Sequence, residues 1–403
     1  MGDREKFKQT EIGSIPEEWK VMRLEEVFSL EYGKGLIEKE RKNGEYPVYG
    51  SNGVVGYHSQ YIVKGPGIII GRKGTIGAVT WSDRNFWPID TTYYIILKIA
   101  GTDLKWLFYK LLSLKLAKLN MATGTPGLNR GLVYKLKIPL PPLPEQQKIA
   151  EILSRVDEAN EKVDDSIEKT ERLKKGLMHE LLTKGIGHKN FKETEIGRIP
   201  KEWQVLRLES LINEIRNGFA SGKRDENGIV QIRMNNVTTD GHLVLDTYLK
   251  VPIPRNVDDW ILKEGDFLFN NTNSYDLVGK SAIFKGVPFR CTFSNHFTRI
   301  RFKMNLVIPE IILFHFILLW EKGFFKSIAI RHVGQSAVHT KHLLRLKLPL
   351  PPLPEQKKIA EILSTVDKRL ELLRSKKAKL ERIKKGLMND LLTGQRRVKI
   401  LES

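Results

Sequence analysis

The sequence predicts an α+β protein: two mixed α/β domains separated by two long helices that form an antiparallel coiled coil, arranged as a circular pseudo-two-fold repeat. Two observations lead there. Ile138 to Asp157 reads I-P-L-P-P-L-P-E-Q-Q-K-I-A-E-I-L-S-R-V-D, and 210 residues later Leu348 to Asp367 reads L-P-L-P-P-L-P-E-Q-K-K-I-A-E-I-L-S-T-V-D. Thr10 to Val27, T-E-I-G-S-I-P-E-E-W-K-V-M-R-L-E-E-V, returns as T-E-I-G-R-I-P-K-E-W-Q-V-L-R-L-E-S-L at Thr194 to Leu211, but only 184 residues later. From Trp19 to Pro139 is 120 positions and from Trp203 to Pro349 is 146, so the second body carries 26 more. A constant opening, a variable body, and a constant exit into a helix therefore occur twice. A repeat of this kind governs the whole architecture.

In the first body, Val54-Val55-Gly56-Tyr57, Gly67 to Gly71, Thr75 to Trp81 and Thr91 to Leu97 read as strands bounded by glycine turns. Thr102-Asp103 caps an apolar-periodic helix running through Leu119, and a loop follows over Ala122 to Arg130. The second body has the same grammar. Its strands are expected at Ile229 to Arg233, Asp266 to Phe269 and Thr298 to Phe302, its helix from Pro309-Glu310, and its loop at Arg331 to Ser336, where Gly334 falls on Gly124.

Each exit helix starts with a first-turn proline (Pro144, Pro354) followed by glutamate, which suits the helix dipole. Apolar residues recur in a four–three alternation at Ile149, Leu153, Val156, Val163 and Ile167, and at Ile359, Leu363, Val366, Leu370, Leu373 and Leu380. Asn160, Thr170 and Lys174 interrupt the first series; Lys377 and Lys384 interrupt the second. Such a seam packs on another helix, and the simplest partner is the other copy. The opening motif follows directly on the end of the first helix, and the N-terminus supplies it for the second, which makes the repeat circular.

The formal net charge of +20 points to a polyanionic partner, nucleic acid first and an anionic membrane second. One cysteine, Cys291, excludes an intrachain disulfide framework and a cysteine-based zinc site. Met1-Gly2-Asp3-Arg4-Glu5-Lys6 leads into no apolar segment, and the most apolar run, Leu306 to Trp320, is interrupted by Pro309, Glu310 and His315. A cytoplasmic soluble protein is expected.

The duplicated P-L-P-P-L-P-E-Q-x-K-I-A-E-I-L, the E-I-G-x-I-P-x-x-W openings and the L-L-T helix ends resemble the specificity subunit of Type I restriction-modification systems, over the whole chain. The resemblance implies target recognition domains at residues 1–143 and 185–353, a first helix at 144–184, and a second helix with the C-terminal tail at 354–403. It implies two domains that each read half of a split site in double-stranded DNA. It also implies two docked methyltransferase subunits, restriction subunits joining them, and no catalysis by this chain alone. The longer second body departs from strict duplication, so base contacts do not transfer from one body to the other.

No chemistry of the chain's own is expected, and no cofactor or metal. Asn270-Asn271-Thr272-Asn273 lacks the prolines of an adenine methyltransferase motif. Gly279-Lys280-Ser281 has Ser274 where a phosphate-binding loop needs its first glycine. Gly71 to Gly77 reads as a strand turn offering amides and two cations to a phosphate. His332, His339 and His342 lack further ligands. Sequence readout needs polar side chains at base edges and cations at phosphates. The first body offers Lys34, Lys39, Arg41, Lys42, Ser51, Asn52, Tyr57, His58, Arg72, Lys73, Asn129 and Arg130. The second offers Arg216, Asn217, Lys223, Arg224, Arg233, Asn235, Asn236, Asn271, Thr272, Asn273, Ser274, Arg331, His332 and Gln335.

Overall fold

A computed structural model describes residues 6–119 and 127–398. The described residues form two compact units, one running up to Asp165 and resuming at Arg374, the other Ser166–Leu373. Each unit therefore combines a body, the start of the helix leaving that body, and the end of the other long helix. This is the circular repeat that the two sequence offsets predict.

In the first unit, a hairpin (Phe7–Thr10 with Gly13–Pro16) leads past Trp19 into Lys20–Arg23, which pairs antiparallel with the exit strand Lys137–Leu140. The exit strand carries Pro139, tolerable because the sheet has only two strands. A four-stranded sheet is ordered Phe28–Tyr32, Thr92–Leu97, Gly67–Gly71, Val79–Ser82. A three-stranded sheet joins Gly53–His58 antiparallel to Tyr46–Gly50, which runs parallel to Trp87–Pro88. The expected strand from Thr75 begins only at Val79, because Gly74 and Gly77 take positive φ (74° and 72°) and turn the chain. The helix covers Leu104–Leu114; Asp103 caps it by accepting from Trp106 N, and Lys115 at φ 50° ends it short of Leu119. The following loop, including Ala122 to Pro126 and hence Gly124, lies outside the described residues.

The second unit repeats the plan. Gln204–Arg207 pairs with Lys347–Leu350, and the four-stranded order Ile212–Asn217, Phe297–Phe302, Phe267–Asn270, Ser281–Ile283 matches the first. Its three-stranded sheet likewise joins one antiparallel and one parallel partner to Ile229–Ile232. The hairpin connection that takes two residues in the first body, Ser51 and Asn52, runs from Arg233 to Tyr248 in the second. That accounts for over half of the second body's extra length. The expected loop at Arg331 to Ser336 is a hairpin, Ile330–His332 with Gln335–Ala337, whose inner strand also pairs with Thr272–Asn273.

The long helices span Leu143–Thr183 (41 residues) and Leu353–Leu391 (39 residues). In the first unit their facing parts run antiparallel: Lys384 meets Asp157 at 2.5 Å and Lys377 meets Asp164 at 2.6 Å, so one number rises as the other falls. In the second unit Lys174 meets Asp367 at 2.6 Å. Every predicted seam residue is buried or half-buried. Ile149 and Leu153, with Leu391 and Leu392, complete the first body's core around Trp19, Phe28 and Trp106. Ile359 and Leu363, with Leu181 and Leu182, do the same around Trp203, Phe267 and Phe316. The helix ends are thus built into the bodies as well as paired along a seam. Among the described residues no helix is long and apolar enough to cross a membrane.

Candidate nucleic-acid interface

The orientation of each body's surface is set at the proline joint. Glu145, fully buried, accepts from Trp19 Nε1 at 2.8 Å and from Arg397 Nε at 2.7 Å. Glu355 accepts from Trp203 Nε1 at 3.0 Å and faces His188 Nε2 at 2.9 Å. The adjacent glutamines clamp the same joint. Gln146 donates to Pro141 O and Gly101 O and accepts from Asp103 N; Gln356 donates to Pro351 O and Leu306 O and accepts from Ile308 N. One motif therefore ties exit strand, long helix, opening tryptophan and body helix together. The repeated Trp and repeated P-E-Q carried that signal in the sequence, but their pairing was not read from it.

On the first body, an aromatic–cation cluster stands at the end of the four-stranded sheet. Arg72 and Arg130 lie over the half-exposed Tyr32 ring at 5.2 and 5.3 Å, and Tyr32 packs on Tyr93 at 5.1 Å. Burial pushes the Tyr93 phenol up to about 12, so it stays a neutral donor, to Leu128 O. Arg72 spends Nε and Nη2 on Asp90 O; exposed Arg130 has no such tether. Lys73 is exposed beside it, Ser51 Oγ accepts from Thr75 N, and Asn129 caps the short helix Arg130–Tyr134 through Gly131 N. The Gly71 to Gly77 turn does not offer its amides freely: those of Gly71, Arg72, Lys73, Thr75, Ile76 and Gly77 all donate within the body. It presents side chains instead.

Along the hairpin Asn52 and Tyr57 are exposed, as are Lys34, Lys39 and Lys42 of the preceding segment. Two predicted members turn inward. His58 is buried, accepts from Lys42 N at 2.9 Å and meets Trp87 edge-on. Arg41 donates to Val55 O at 2.7 Å, bracing the hairpin.

On the second body, Arg331 stacks on Tyr275 at 3.6 Å, with Lys326 at 4.6 Å from the same ring. His332, Gln335 and Ser274 are exposed around it. Asn273 is buried and bonds Asn270 Oδ1, and Asn271 donates to Thr298 Oγ1, so both shape the sheet end rather than face outward. A separate group gathers Arg216, Asn217, Arg233 and the exposed Lys223, Arg224 and Asn235. Arg216 lies 3.5 Å from Asp259, and Asn217 accepts from Thr298 Oγ1. Arg233 donates to Ser221 O, and its charge, after burial, lowers the His296 pKa. Asn236 is buried, donating to Val244 O and Thr247 O; its role is to fold the long connection. Beneath this surface Arg299 and Arg301 hold Glu214 and Asp266. Burial opposes ionisation of Glu214, but the Arg301 hydrogen bond and both guanidinium charges outweigh it and lower its pKa.

Lys280 is buried and donates to Met234 O and Val237 O, unlike a phosphate-loop lysine. Among the described residues no cluster of three metal-ligating side chains occurs. A cavity of about 480 Å³ in the second unit is lined by Leu182, Leu318, Phe324, Arg345 and His315 among others, with no carboxylate in its wall.

Comparison with known proteins extends over most of the chain. The family model for the Type I restriction modification DNA specificity domain matches residues 16–171 and again 200–382. The Type I restriction enzyme MjaVIII specificity subunit of Methanocaldococcus jannaschii is 31% identical, covering 98% of this chain and 97% of its own. The EcoDI specificity subunit of Escherichia coli is 21% identical over 86% of this chain and 81% of its own. The crystal structure of an S subunit of a Type-I restriction-modification system from M. genitalium superimposes with a TM-score of 0.65 at 18% identity, covering 93% of this chain and 96% of that one.

Proposed function

The chain belongs to the family of Type I restriction-modification specificity subunits, and we propose that it reads a bipartite site in double-stranded DNA, one half with each body. The observation that carries this reading is the contrast within the repeat. The two units share sheet order and joint chemistry, yet expose different polar and cationic side chains. One scaffold carrying two surfaces suits two different half-sites. Arginine suits guanine, asparagine and glutamine suit adenine, and the surrounding lysines serve phosphates.

In this reading the two methyltransferase subunits dock on the helical part, the restriction subunits join them, and the chain itself catalyses nothing. Base flipping and methyl transfer take place in the partners. The complex works in the cytoplasm. Selection from a random duplex library, using the chain with its methyltransferase partner, should enrich two short blocks of fixed letters separated by a spacer of constant length. Enrichment of a single block, or of none, would count against it. Cleavage or methylation of DNA by the purified chain alone, given magnesium and S-adenosylmethionine, would show a catalyst that this reading excludes.

A further inference from the structure

The hairpin Ile330–His332/Gln335–Ala337 is exposed from Ile330 to Gln335. Its inner strand is anchored on Thr272–Asn273, and the turn is Val333-Gly334, with Gly334 at φ 79°. A two-stranded ribbon of this size fits the DNA major groove. Two features at its end concern base edges rather than phosphates. Arg331 makes no ion pair among the described residues; its guanidinium carbon sits over Tyr275, 3.6 Å from the ring centre. The close ring contact restrains the fork while its N–H groups stay unspent, so less order is lost when the fork meets two acceptors. Val333, at the tip, is wholly exposed. A valine there contributes nothing to the core and gains only when something apolar covers it.

We propose that this hairpin is a major-groove reading ribbon in which Arg331, held by Tyr275, takes the O6/N7 edge of a guanine and Val333 covers the C5 methyl of a neighbouring thymine. The inference rests on reading the second body as a DNA-recognising body, and it names two of that body's letters. Tyr275 is a positioning residue: it acts through Arg331 and touches no base. Lys326, over the same ring and paired with Asp276, keeps a second cation near the adjoining phosphates.

The test uses the full chain with its methyltransferase partner. A random-library selection supplies the duplex. Competition titrations then replace single guanines by 7-deazaguanine, which lacks N7, and single thymines by uracil, which lacks the methyl. One guanine substitution should weaken wild-type binding about tenfold. Arg331→Lys, which keeps the charge but not the fork, should lose a similar factor on unmodified DNA and be indifferent to that substitution. Tyr275→Ala should behave like Arg331→Lys, and Tyr275→Phe like wild type. One uracil should cost wild type about fourfold and cost Val333→Ser nothing. A motif without a guanine in the half lost by Arg331→Ala, or unchanged letters with Arg331→Lys, would overturn the inference while leaving the two-body reading intact. Failure of wild type to select any motif would overturn the reading itself.

Discussion

Glu145 and Glu355 show how single residues hold the two units. Each is a carboxylate withdrawn from water and compensated by an indole N–H, with a further cationic or imidazole partner, Arg397 in one unit and His188 in the other. Burial of a charge is tolerated only with such full compensation. The body helices have diverged at another buried position, seven residues beyond the backbone group each clamping glutamine meets. There the first unit has Lys110, which donates to Leu392 O at 3.0 Å, and the second has His315. His315 is buried in the wall of the second unit's cavity, with Nε2 unpartnered, and burial lowers its pKa to about 4. An unfolded histidine titrates near 6.5. A base depressed in this way stabilises the fold only while neutral. Its contribution is intact above about pH 6.5 and is lost as the pH falls towards 4, by up to about 3 kcal/mol. Urea midpoints measured across that window should fall more steeply for wild type than for His315→Gln; parallel curves would show that His315 is not the group responsible.

At the scale of elements, the interruptions in the heptad pattern acquire a purpose. Lys174, Lys377 and Lys384 replace apolar residues in the seam, and each meets an aspartate of the facing helix. A polar pair at a seam position costs stability but selects one register over its neighbours, as a seam asparagine does in other coiled coils. The three pairs differ in exposure. Lys174 and Asp367 are nearly enclosed, whereas Lys377 and Asp164 face solvent. Asp367→Ala should therefore cost about 3–5 kcal/mol, because it strands a buried ammonium. Asp164→Ala should leave the urea midpoint close to that of wild type. Equal effects of the two substitutions would remove the distinction. The extended connection from Arg233 to Tyr248 is a second elemental device. It brings His242 to 3.7 Å from Glu371, tying the longer body to the second long helix within its own unit.

At the scale of the whole molecule, the proposed reading of a split site would make the two long helices the element that sets its spacer. Deleting one heptad from both helices removes about 10 Å of rise while preserving the antiparallel register. The expected outcome in library selection is a changed spacer, or lost binding, with the letters of each block unchanged. Changed letters with an unchanged spacer would show that the helices are not the ruler. Much of this architecture was legible in the chain alone. The two offsets revealed the circular repeat and the four–three alternation revealed the helices, because each depends on residues near one another in sequence. The surface was less legible. His58, Asn236 and Asn273 were expected among the residues facing bases, and the fold buries them; it also sets Arg130 over the Tyr32 ring and Arg331 over the Tyr275 ring. Whether a polar side chain faces solvent is decided by strands and loops that pack against it from elsewhere in the chain. The sequence by itself determined the repeat and the helices; only the tertiary structure decided how the joints are tied and which polar groups are left unspent at the surface, because burial is a property of neighbours and not of residues.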